Sequence, residues 1–449
     1  MRGSGSGTGY AYATLDELRV GLFVDLELGW MSHPFPKGSF KITSARQIET
    51  LRSLGLSRVR YVPARSDPAP QATNASGPPD PPPADPAARG PDPVDAAATT
   101  TPASAKEPDE RETRQRRHAA LVAAQRASLE LCDQQFDAAI RQYRAVVDLI
   151  PRDAQSASDR CVQLVSSLVG DMLGQSESSI RLLSETTGDR AWMHPVNVTV
   201  LSLLLGKALG LPAQALRDLG LAAFLHDIGK MQLPDQVRLS DSSFAPAEYR
   251  LYQSHVAFGV GIAQQLGLSS EVQNTIAQHH EMLDGSGFPN QIRGADISQA
   301  GKVLALVNRY ENMCNPPRQS AAVTPHEALS QIFSQMKERH DVSVLAAFIR
   351  MMGVYPPGSV VQLSDSRFAL VVSVNSARPL KPRVMVHDAG LAKEEALILD
   401  LEQMPTAGIR RSLRPDLLPA DARDYLAPRL RICYFFERAS DPVRGEVVP

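Results

Sequence analysis

His226-Asp227-Ile228-Gly229-Lys230 closes an apolar run and is the stretch that decides the predicted fold. The run Leu216–Leu225 has the composition of a buried helix, so His226 and Asp227 would lie at the edge of a core. Such a pair can offer a nitrogen to one metal ion and a bridging carboxylate to two. An isolated pair is more often a buried histidine that its neighbour hydrogen-bonds. Lys230, one helical turn beyond His226, would face the same pocket and suits a phosphate oxygen or a leaving group.

Other histidines show that this pair is not isolated, because five of the chain's ten histidines fall between His194 and His280. His279 and His280 are adjacent on a predicted helix, and metal ligation would satisfy both rings in a buried site. Glu281 is interpreted as solvated. The turn after it, Asp284-Gly285-Ser286-Gly287-Phe288-Pro289, permits close backbone approach and predicts a pocket wall.

Single histidines are the weaker part of this pattern. His194 and His255 each lie on an apolar helix, where one histidine is more often a core residue than a ligand. Only the whole set supports them as ligands. Since neutral imidazole is the commonest protein metal ligand near physiological pH, the region predicts a metallohydrolase.

Composition indicates a soluble globular protein with more than one domain. The chain has 449 residues, of which 43% are apolar, and a formal net charge of −2, which gives no pull toward a nucleic acid polymer. Four widely spaced cysteines match no zinc or redox motif and predict reduced thiols in a cytoplasmic protein. No hydrophobic leader and no run of roughly 20 apolar residues is present, so neither a signal peptide nor a membrane span is expected.

The pattern along the chain predicts a mainly α protein whose helical bundle lies between two small domains. Residues 11–65 predict a small α+β domain, and residues 66–110 a disordered linker rich in Pro and Ala. Residues 111–183 predict a helical segment with a break at Ile150-Pro151, and residues 184–352 the helical bundle with the histidines. Period-two alternation after residue 353 predicts a small β domain over 353–449, with a short helix near 420–427.

Residues from about 185 to 350 resemble an HD-GYP domain, the branch of the HD metallophosphohydrolases that hydrolyses cyclic di-GMP. An HD pair alone marks a wide superfamily, whereas His-His-Glu with the following glycine turn narrows the resemblance to this branch. Residues 11–65, with Gly29-Trp30 and His33-Pro34-Phe35, are similar to an N-terminal domain of unknown function often found ahead of HD-GYP domains. The matching motifs are His194, His226-Asp227-Ile228-Gly229-Lys230, Pro234-Asp235, His255, His279-His280-Glu281, Asp284-Gly285-Ser286-Gly287-Phe288-Pro289 and Leu304-Ala305-Leu306-Val307.

The resemblance implies an HD-type helical bundle that holds two, sometimes three, divalent metal ions, commonly iron or manganese. A metal-bridging hydroxide would attack cyclic di-GMP and yield pGpG or GMP, with Asp227 and Lys230 as the catalytic residues. Asp227 would bridge the two metals, and Lys230 would hold the scissile phosphate. The implied metal ligands are His194, His226, Asp227, His255, His279, His280 and Asn308; the implied substrate-binding residues are Lys230, Gly285, Gly287, Phe288 and Arg318.

Several residues depart from the family pattern. Asn308 replaces the usual Asp and would be a weaker, neutral ligand, which Glu311 on the same helical face could compensate. Phe288 replaces the motif's tyrosine and keeps a ring for stacking on guanine. Arg190 stands where trinuclear members carry Glu, so a third metal is not expected. The family's nucleotide-binding arginine corresponds to Arg318, shifted by one residue.

Three hypotheses follow for function. The leading one is a binuclear cyclic di-GMP phosphodiesterase. The rival, favoured by Asn308, is a degenerate HD-GYP domain that binds cyclic di-GMP or a partner protein without turnover. A third, another nucleotide phosphohydrolase of the HD superfamily, is disfavoured by the His-His-Glu and glycine-turn match. A homodimer or a signalling partner protein is compatible with each hypothesis.

Overall fold

The computed structural model describes residues 10–26, 39–53, 56, 58–67, 107–174, 178–185, 189–239, 244–375, 378–404 and 407–438. These residues form two compact units, one before Ala120 and one from Ala120 onward. Gly29-Trp30, His33-Pro34-Phe35 and most of the predicted linker lie outside the described residues. Within the described ranges, no helix combines the length and the apolar character that a membrane crossing needs.

The first unit is the predicted α+β fold. Its antiparallel sheet has the order β1-β4-β2-β3, and its core includes the buried side chains of Val24, Leu51 and Val59. Gly21 has a φ of +94° and lies in the turn just before β2, a conformation that favours glycine. The elements are β1 (Ala11–Thr14), β2 (Phe23–Asp25), β3 (Ser39–Lys41), α1 (Ala45–Ser53) and β4 (Arg58–Tyr61).

The predicted helical segment contains two helices and, unexpectedly, one strand. Helix α2 (Glu107–Leu149) begins within the end of the predicted linker, and α3 (Ala154–Leu173) follows the break, capped by Asp153. The prediction of helix up to residue 183 is wrong at β5 (Ser178–Leu182). All five residues of β5 are buried, and the strand pairs on both sides with strands from the C-terminal part of the chain. Long-range pairing therefore overrides the local pattern.

The bundle that carries the histidines is helical as predicted. Helix α4 is buried around almost its whole circumference, as expected for a helix at the centre of a bundle. It packs against α5 and α9, and α5 packs against α8. The helices are α4 (Arg190–Ala208), α5 (Ala213–Leu225), α6 (Pro246–Gln253), α7 (His255–Gln265), α8 (Ser270–Gln278), α9 (Gln299–Cys314), α10 (Pro325–Met336) and α11 (Val342–Met352).

The C-terminal strands form the predicted sheet, but the sheet is not separate from the bundle. The strand order is β10-β6-β7-β5-β11, with β8 and β9 continuing from β7, and all pairs are antiparallel. Val360, Leu370 and Phe436 belong to the same apolar core as the helices. The predicted boundary at residue 353 therefore crosses this shared core, although a second apolar cluster, which includes Val361 and Val371, belongs to the sheet alone. The elements are β6 (Val360–Leu363), β7 (Phe368–Asn375), β8 (Arg383–Val386), β9 (Ile398–Asp400), β10 (Ile409–Leu413), α12 (Ala420–Leu426) and β11 (Tyr434–Arg438).

Gly229 allows the turn after α5 to lie directly on α7. A Cβ at this position would come within 2.0 Å of the carbonyl oxygen of His255 and 2.4 Å of the amide nitrogen of Gly259. We expect Gly229→Ala to lower the free energy of unfolding by roughly 1–3 kcal/mol, because backbone atoms must move apart. Urea denaturation followed by circular dichroism measures this change.

Gly261→Ala is the matched control, since Gly261 lies on the same helix α7 and an added Cβ would meet nothing within 4 Å. Alanine should raise stability there by about 0.5–1 kcal/mol, through its higher helix propensity. Equal effects of the two substitutions would contradict the close packing of the turn on α7.

Candidate metal centre

His226 follows the last residue of α5, and its ring is oriented by the backbone of its own helix. The ring is fully buried, and Nδ1 lies 2.7 Å from the carbonyl oxygen of Ala223. A carbonyl oxygen can only accept a hydrogen bond, so Nδ1 carries the proton and Nε2 presents a lone pair. The sequence prediction that His226 and Asp227 end a buried helix is confirmed.

His255 and His279 repeat this arrangement from two other helices. His255 is the first residue of α7. His279 follows the last residue of α8, so His279 and His280 lie just after this helix and not on it, where the sequence predicted them. Their Nδ1 atoms lie 2.5 Å from the carbonyl oxygen of Tyr252 and 2.6 Å from that of Ile276. In each case the acceptor is three residues earlier in the chain, and the Nε2 lone pair is left for the site.

The Nε2 atoms of four histidines meet in two close pairs. Those of His194 and His226 lie 3.1 Å apart, and those of His255 and His279 lie 3.3 Å apart. In the neutral forms of His255 and His279, the hydrogen bond from Nδ1 leaves Nε2 without a proton to donate. Two facing lone pairs in a buried site repel each other unless a cation lies between them.

Asp227 lies between the two pairs and presents one carboxylate oxygen to each. Oδ2 is 3.4 Å from Nε2 of His194 and 3.5 Å from that of His226, whereas Oδ1 is 3.6 Å from Nε2 of His255 and 3.7 Å from that of His279. Oδ1 is buried without a hydrogen-bond partner, and so is Nε2 of His280.

The donor atoms therefore fall into two groups that share one carboxylate. One group is His194, His226 and Asp227, and the other is Asp227, His255, His279 and His280; within each group the donor atoms lie within 4.8 Å of one another. Unpartnered nitrogen and oxygen donors of this kind fit divalent metal ions. The structure thus brings together six of the seven predicted ligands, and their binding of metal stays a prediction.

Burial keeps three of these rings neutral. It lowers the pKa of His226 and His280 well below the ordinary value, and it lowers that of His255 to about 3. Burial would raise the pKa of Asp227, but the charge of Lys230, together with the hydrogen bond from His194, outweighs it and holds that pKa well below its usual range. Neutral imidazoles beside an ionised carboxylate are the protonation states that metal ligation requires.

Lys230 lies against the shared carboxylate. Its Nζ is 2.6 Å from Oδ2 of Asp227 and 5.4 Å from the centre of the Tyr252 ring. Burial would lower the pKa of Lys230, but the charge of Asp227 raises it above the ordinary value. The side chain therefore brings a positive charge to the edge of the cluster, as the sequence predicts.

Glu311 supports His194 from behind. Its carboxylate hydrogen-bonds Nδ1 of His194 and accepts a second hydrogen bond, of 2.9 Å, from the side chain of Asn315. Burial lowers the pKa of His194, but Glu311 and Asp227 raise it above its ordinary value, so metal binding would displace a proton. In this arrangement Glu311 orients a histidine, a role different from the predicted replacement of the missing Asp carboxylate.

Asn308 and Arg190 lie in a neighbouring chain of side-chain hydrogen bonds. Asn308 is buried, and its Oδ1 accepts a hydrogen bond of 2.6 Å from Asn312. Arg190 donates to Oδ1 of Asn312 at 2.5 Å and comes within 3.8 Å of Glu311. The guanidinium of Arg190 is therefore held by Asn312 and Glu311 beside this group of residues.

A cavity of about 370 Å³ opens beside the histidines. Phe288 lines it and stacks on His280, with ring centroids 4.3 Å apart and an angle of 24° between the rings. Gly287 also lines it, and a Cβ there would come within 2.5 Å of the carbonyl oxygen of His280. The lining residues are Tyr249, Tyr252, His279, His280, Met282, Ser286, Gly287, Phe288, Ala305, Asn308, Arg309, Asn312, Pro317 and Arg339.

Some predicted residues have other positions or surroundings than expected. Gly285 is not among the lining residues; it has a φ of +77°, and a Cβ there would contact the side chain of Arg293. Arg318 is exposed and does not line the cavity, whereas its neighbour Pro317 does. The interpretation of Glu281 as solvated is wrong, because it is buried and accepts a hydrogen bond of 2.7 Å from the amide of Asn290.

Sequence reasoning missed the two tyrosines and two arginines of the cavity wall. Tyr249 and Tyr252 lie on α6, three residues apart and just ahead of His255, so helical spacing from a suspected ligand could have indicated them. Arg309 directly follows Asn308 and could have been found in the same way. Arg339 belongs to no motif, and only the tertiary structure brings it to the cavity.

Comparison with known proteins supports these observations. Residues 163–344 match the family model described as HD domain, and residues 13–168 match a domain of unknown function, DUF3391. A cyclic di-GMP phosphodiesterase of Pseudomonas aeruginosa is 28% identical over 380 residues, which cover 84% of this chain and 85% of that protein.

Two other relatives match shorter stretches. A cyclic di-GMP phosphodiesterase of Borreliella burgdorferi is 22% identical over 43% of this chain and 51% of its own length. A 3′3′-cGAMP-specific phosphodiesterase of Vibrio cholerae is 34% identical over 20% of this chain and 18% of its own length.

Removing the charge of Glu311 tests whether it supports a metal ligand. We expect Glu311→Gln to weaken binding of Mn²⁺ by roughly 10–100-fold, since outer partners of ligating histidines contribute that much to metal affinity. Isothermal titration of the metal-free protein with Mn²⁺ measures the dissociation constant. Glu271→Gln, an exposed position on α8, is the control and should bind as the wild type does. Equal affinities of Glu311→Gln and the wild type would contradict the orienting role.

Proposed function

Because the chain belongs to the HD-domain family, in its HD-GYP branch with DUF3391 at the N-terminus, we propose that it is a metal-dependent phosphodiesterase that hydrolyses cyclic di-GMP. One observation carries the proposal: two groups of donor atoms share the carboxylate of Asp227, which stands between two pairs of facing imidazole nitrogens. A bridging carboxylate of this kind suits a centre for two metal ions.

His194 and His226 would hold one metal ion with Asp227, and His255, His279 and His280 would hold the other. When bound, a pair of divalent ions supplies Lewis acidity to a phosphoryl oxygen and lowers the pKa of a water molecule. Mixed imidazole and carboxylate donors suit iron or manganese, and we propose one of these as the resident metal. Asn308 would be an additional neutral ligand, and its Oδ1 would keep the hydrogen bond that it accepts from Asn312.

The residues around the centre have roles of their own. The contact with Asp227 positions the side chain of Lys230 at the edge of the centre. Its ammonium group can therefore approach a phosphate oxygen at the metals and offset the negative charge of the phosphate. Phe288, with Tyr249 and Tyr252, forms an aromatic wall in the cavity, and such rings stack on nucleobases. Gly287 keeps the turn that carries Phe288 packed against the chain at His280.

Cyclic di-GMP is the preferred substrate among the cyclic dinucleotides. The Pseudomonas aeruginosa relative named for it matches 84% of the chain, whereas three relatives named for 3′3′-cGAMP match 20–34% of it. Hydrolysis of one phosphodiester gives pGpG, and hydrolysis of both gives GMP. We place this activity in the cytoplasm, where the four buried cysteines, none of them in a disulfide, would stay reduced. A homodimer or a signalling partner stays a prediction.

Asp227→Asn tests the proposed centre most directly. The amide keeps the shape of the side chain but loses the charge that would bridge the metals, so hydrolysis of cyclic di-GMP should fall by more than ~100-fold, beyond the loss typical of an outer-shell residue. His226→Ala should act in the same way and reduce the metal content. Chromatographic assay of pGpG and GMP, together with elemental analysis of each variant, makes the measurement.

Asp171→Asn, on an exposed position of α3, is the matched control and should keep both activity and metal. Full activity and full metal content in Asp227→Asn would place the catalytic centre elsewhere. A metal-loaded wild type that binds cyclic di-GMP but releases no product would support the degenerate-domain hypothesis instead.

Asn308→Asp should increase the affinity of the centre for metal. Restoring a carboxylate in this buried position adds a negative charge near the metals, so turnover should reach half of its maximum at a lower metal concentration than in the wild type. Titration of the metal-free enzyme with Mn²⁺ under turnover gives the activation curve. An unchanged curve would mean that residue 308 does not contribute to the metal site.

A further inference from the structure

The cavity beside the metal centre contains positively charged side chains that have no role in the proposed metal chemistry. Arg309 and Arg339 both line it, and none of the other lining residues is an aspartate or a glutamate. Arg309 is on α9, directly after Asn308, whereas Arg339 comes from the segment between α10 and α11. Two separate parts of the bundle therefore bring guanidinium groups to one cavity.

Only one of these two arginines has a carboxylate partner among the described residues. Arg339 lies 3.5 Å from Asp284, and both side chains of this ion pair are partly exposed. Among the described residues, no carboxylate lies within 4 Å of the guanidinium of Arg309. Burial, and then the charge of Arg339, lower the pKa of Arg309. Both guanidinium groups line the same cavity, where their like charges repel. An anion between them would relieve that repulsion.

His340 does not add to this positive charge. It is buried next to Arg339, and its Nε2 has no hydrogen-bond partner. Burial, followed by the charges of Arg309 and Arg339, lowers its pKa to about 4, so the ring is neutral at neutral pH. The groups that act on it are Arg309 and Arg339, with Asp284 opposing them. The anion-binding capacity of this wall therefore comes from the arginines.

The proposed substrate has a matching requirement. A cyclic dinucleotide carries two phosphodiester groups, each with one negative charge, and only one of them can be at the metal centre during a single hydrolysis. The second phosphate would lose water on entering the cavity and needs a cation to compensate. A guanidinium can donate two parallel hydrogen bonds to phosphate oxygens, which makes an arginine pair a suitable partner.

We infer that Arg309 and Arg339 form a second phosphate-binding subsite, which holds the non-scissile phosphodiester of the cyclic dinucleotide while the metal centre and Lys230 hold the other. This inference rests on the proposed function and adds to it a determinant of specificity. The subsite favours substrates with two phosphates over simple diesters with one. It also assigns to Arg309 and Arg339 the contact with the nucleotide that the sequence pattern assigned to Arg318.

The test compares a substrate that carries two phosphates with one that carries one. Cyclic di-GMP and bis(p-nitrophenyl) phosphate are hydrolysed by the wild type, Arg309→Gln and Arg339→Gln, each loaded with Mn²⁺. We expect each substitution to lower kcat/KM for cyclic di-GMP about tenfold more than for bis(p-nitrophenyl) phosphate, the effect of losing one charge-assisted contact. Equilibrium binding of cyclic di-GMP to the same proteins should weaken by a similar factor.

Two further variants control for charge and folding. Arg350→Gln removes a positive charge from an exposed position on α11, outside the cavity, and should leave both substrates unaffected. Arg309→Lys keeps the charge but loses the planar fork, so its loss for cyclic di-GMP should lie between those of the wild type and Arg309→Gln. Metal content and thermal unfolding of every variant identify any that has lost its structure.

The outcomes separate this inference from the proposed function. Equal selectivity and equal cyclic di-GMP binding in Arg309→Gln, Arg339→Gln and the wild type would overturn the subsite and leave the proposed function standing. An equal loss for both substrates would also overturn it, since the arginines would then act on the centre as a whole. A wild type that cleaves bis(p-nitrophenyl) phosphate but neither binds nor cleaves cyclic di-GMP would refute the proposed function, and the inference with it.

Discussion

The carboxylate of Asp227 between four imidazole rings is the interaction on which the rest of the structure depends. Each oxygen faces one pair of Nε2 atoms at 3.4–3.7 Å, and Oδ1 is buried without a hydrogen-bond partner. Buried polar atoms without partners destabilise a fold, by roughly 1–3 kcal/mol each. The packing of the surrounding helices offsets this unfavourable free energy and holds the donor atoms in place. Such an arrangement is expected of a site that binds cations.

The C-terminal strand stabilises this centre from outside the bundle. The side chain of Asn197, on α4, accepts a hydrogen bond of 2.9 Å from the amide of Tyr434 and donates one of 3.1 Å to the carbonyl oxygen of Ile432. Asn315, at the end of α9, makes a similar pair of contacts with the backbone of Ile432. Both asparagines also contact Glu311, the residue that orients His194. The sheet and the metal centre are therefore coupled through a few buried side chains.

This coupling explains why the C-terminal sheet and the helices share an apolar core. Tyr310, on α9, and Tyr434, on β11, are both fully buried, and their hydroxyl groups lie 3.0 Å apart. A sheet that moved independently would break these contacts and release the helix that carries Asn308 and Glu311. The chemical site and the flanking sheet thus form one cooperative structure.

The charges of the cavity complete the arrangement. The metal centre gathers imidazole nitrogens around one anion, Lys230 adds a cation at its edge, and Arg309 and Arg339 add two more along the cavity wall. Aromatic rings from α6 and from the glycine turn provide apolar surface beside these charges. A ligand that combines several phosphates with planar bases satisfies both parts of the cavity.

The sequence by itself determined that the bundle is helical, and it indicated the residues proposed for the centre. Local patterning predicted His226 at the end of a buried helix, whereas it placed His279 within a helix and not at the end where a backbone carbonyl orients its ring. Only the tertiary structure decided the pairing of β5, the role of Glu311 and the place of Arg339. Those features depend on contacts between residues far apart in the chain, and neither periodicity nor a short motif records which distant surfaces will be buried together.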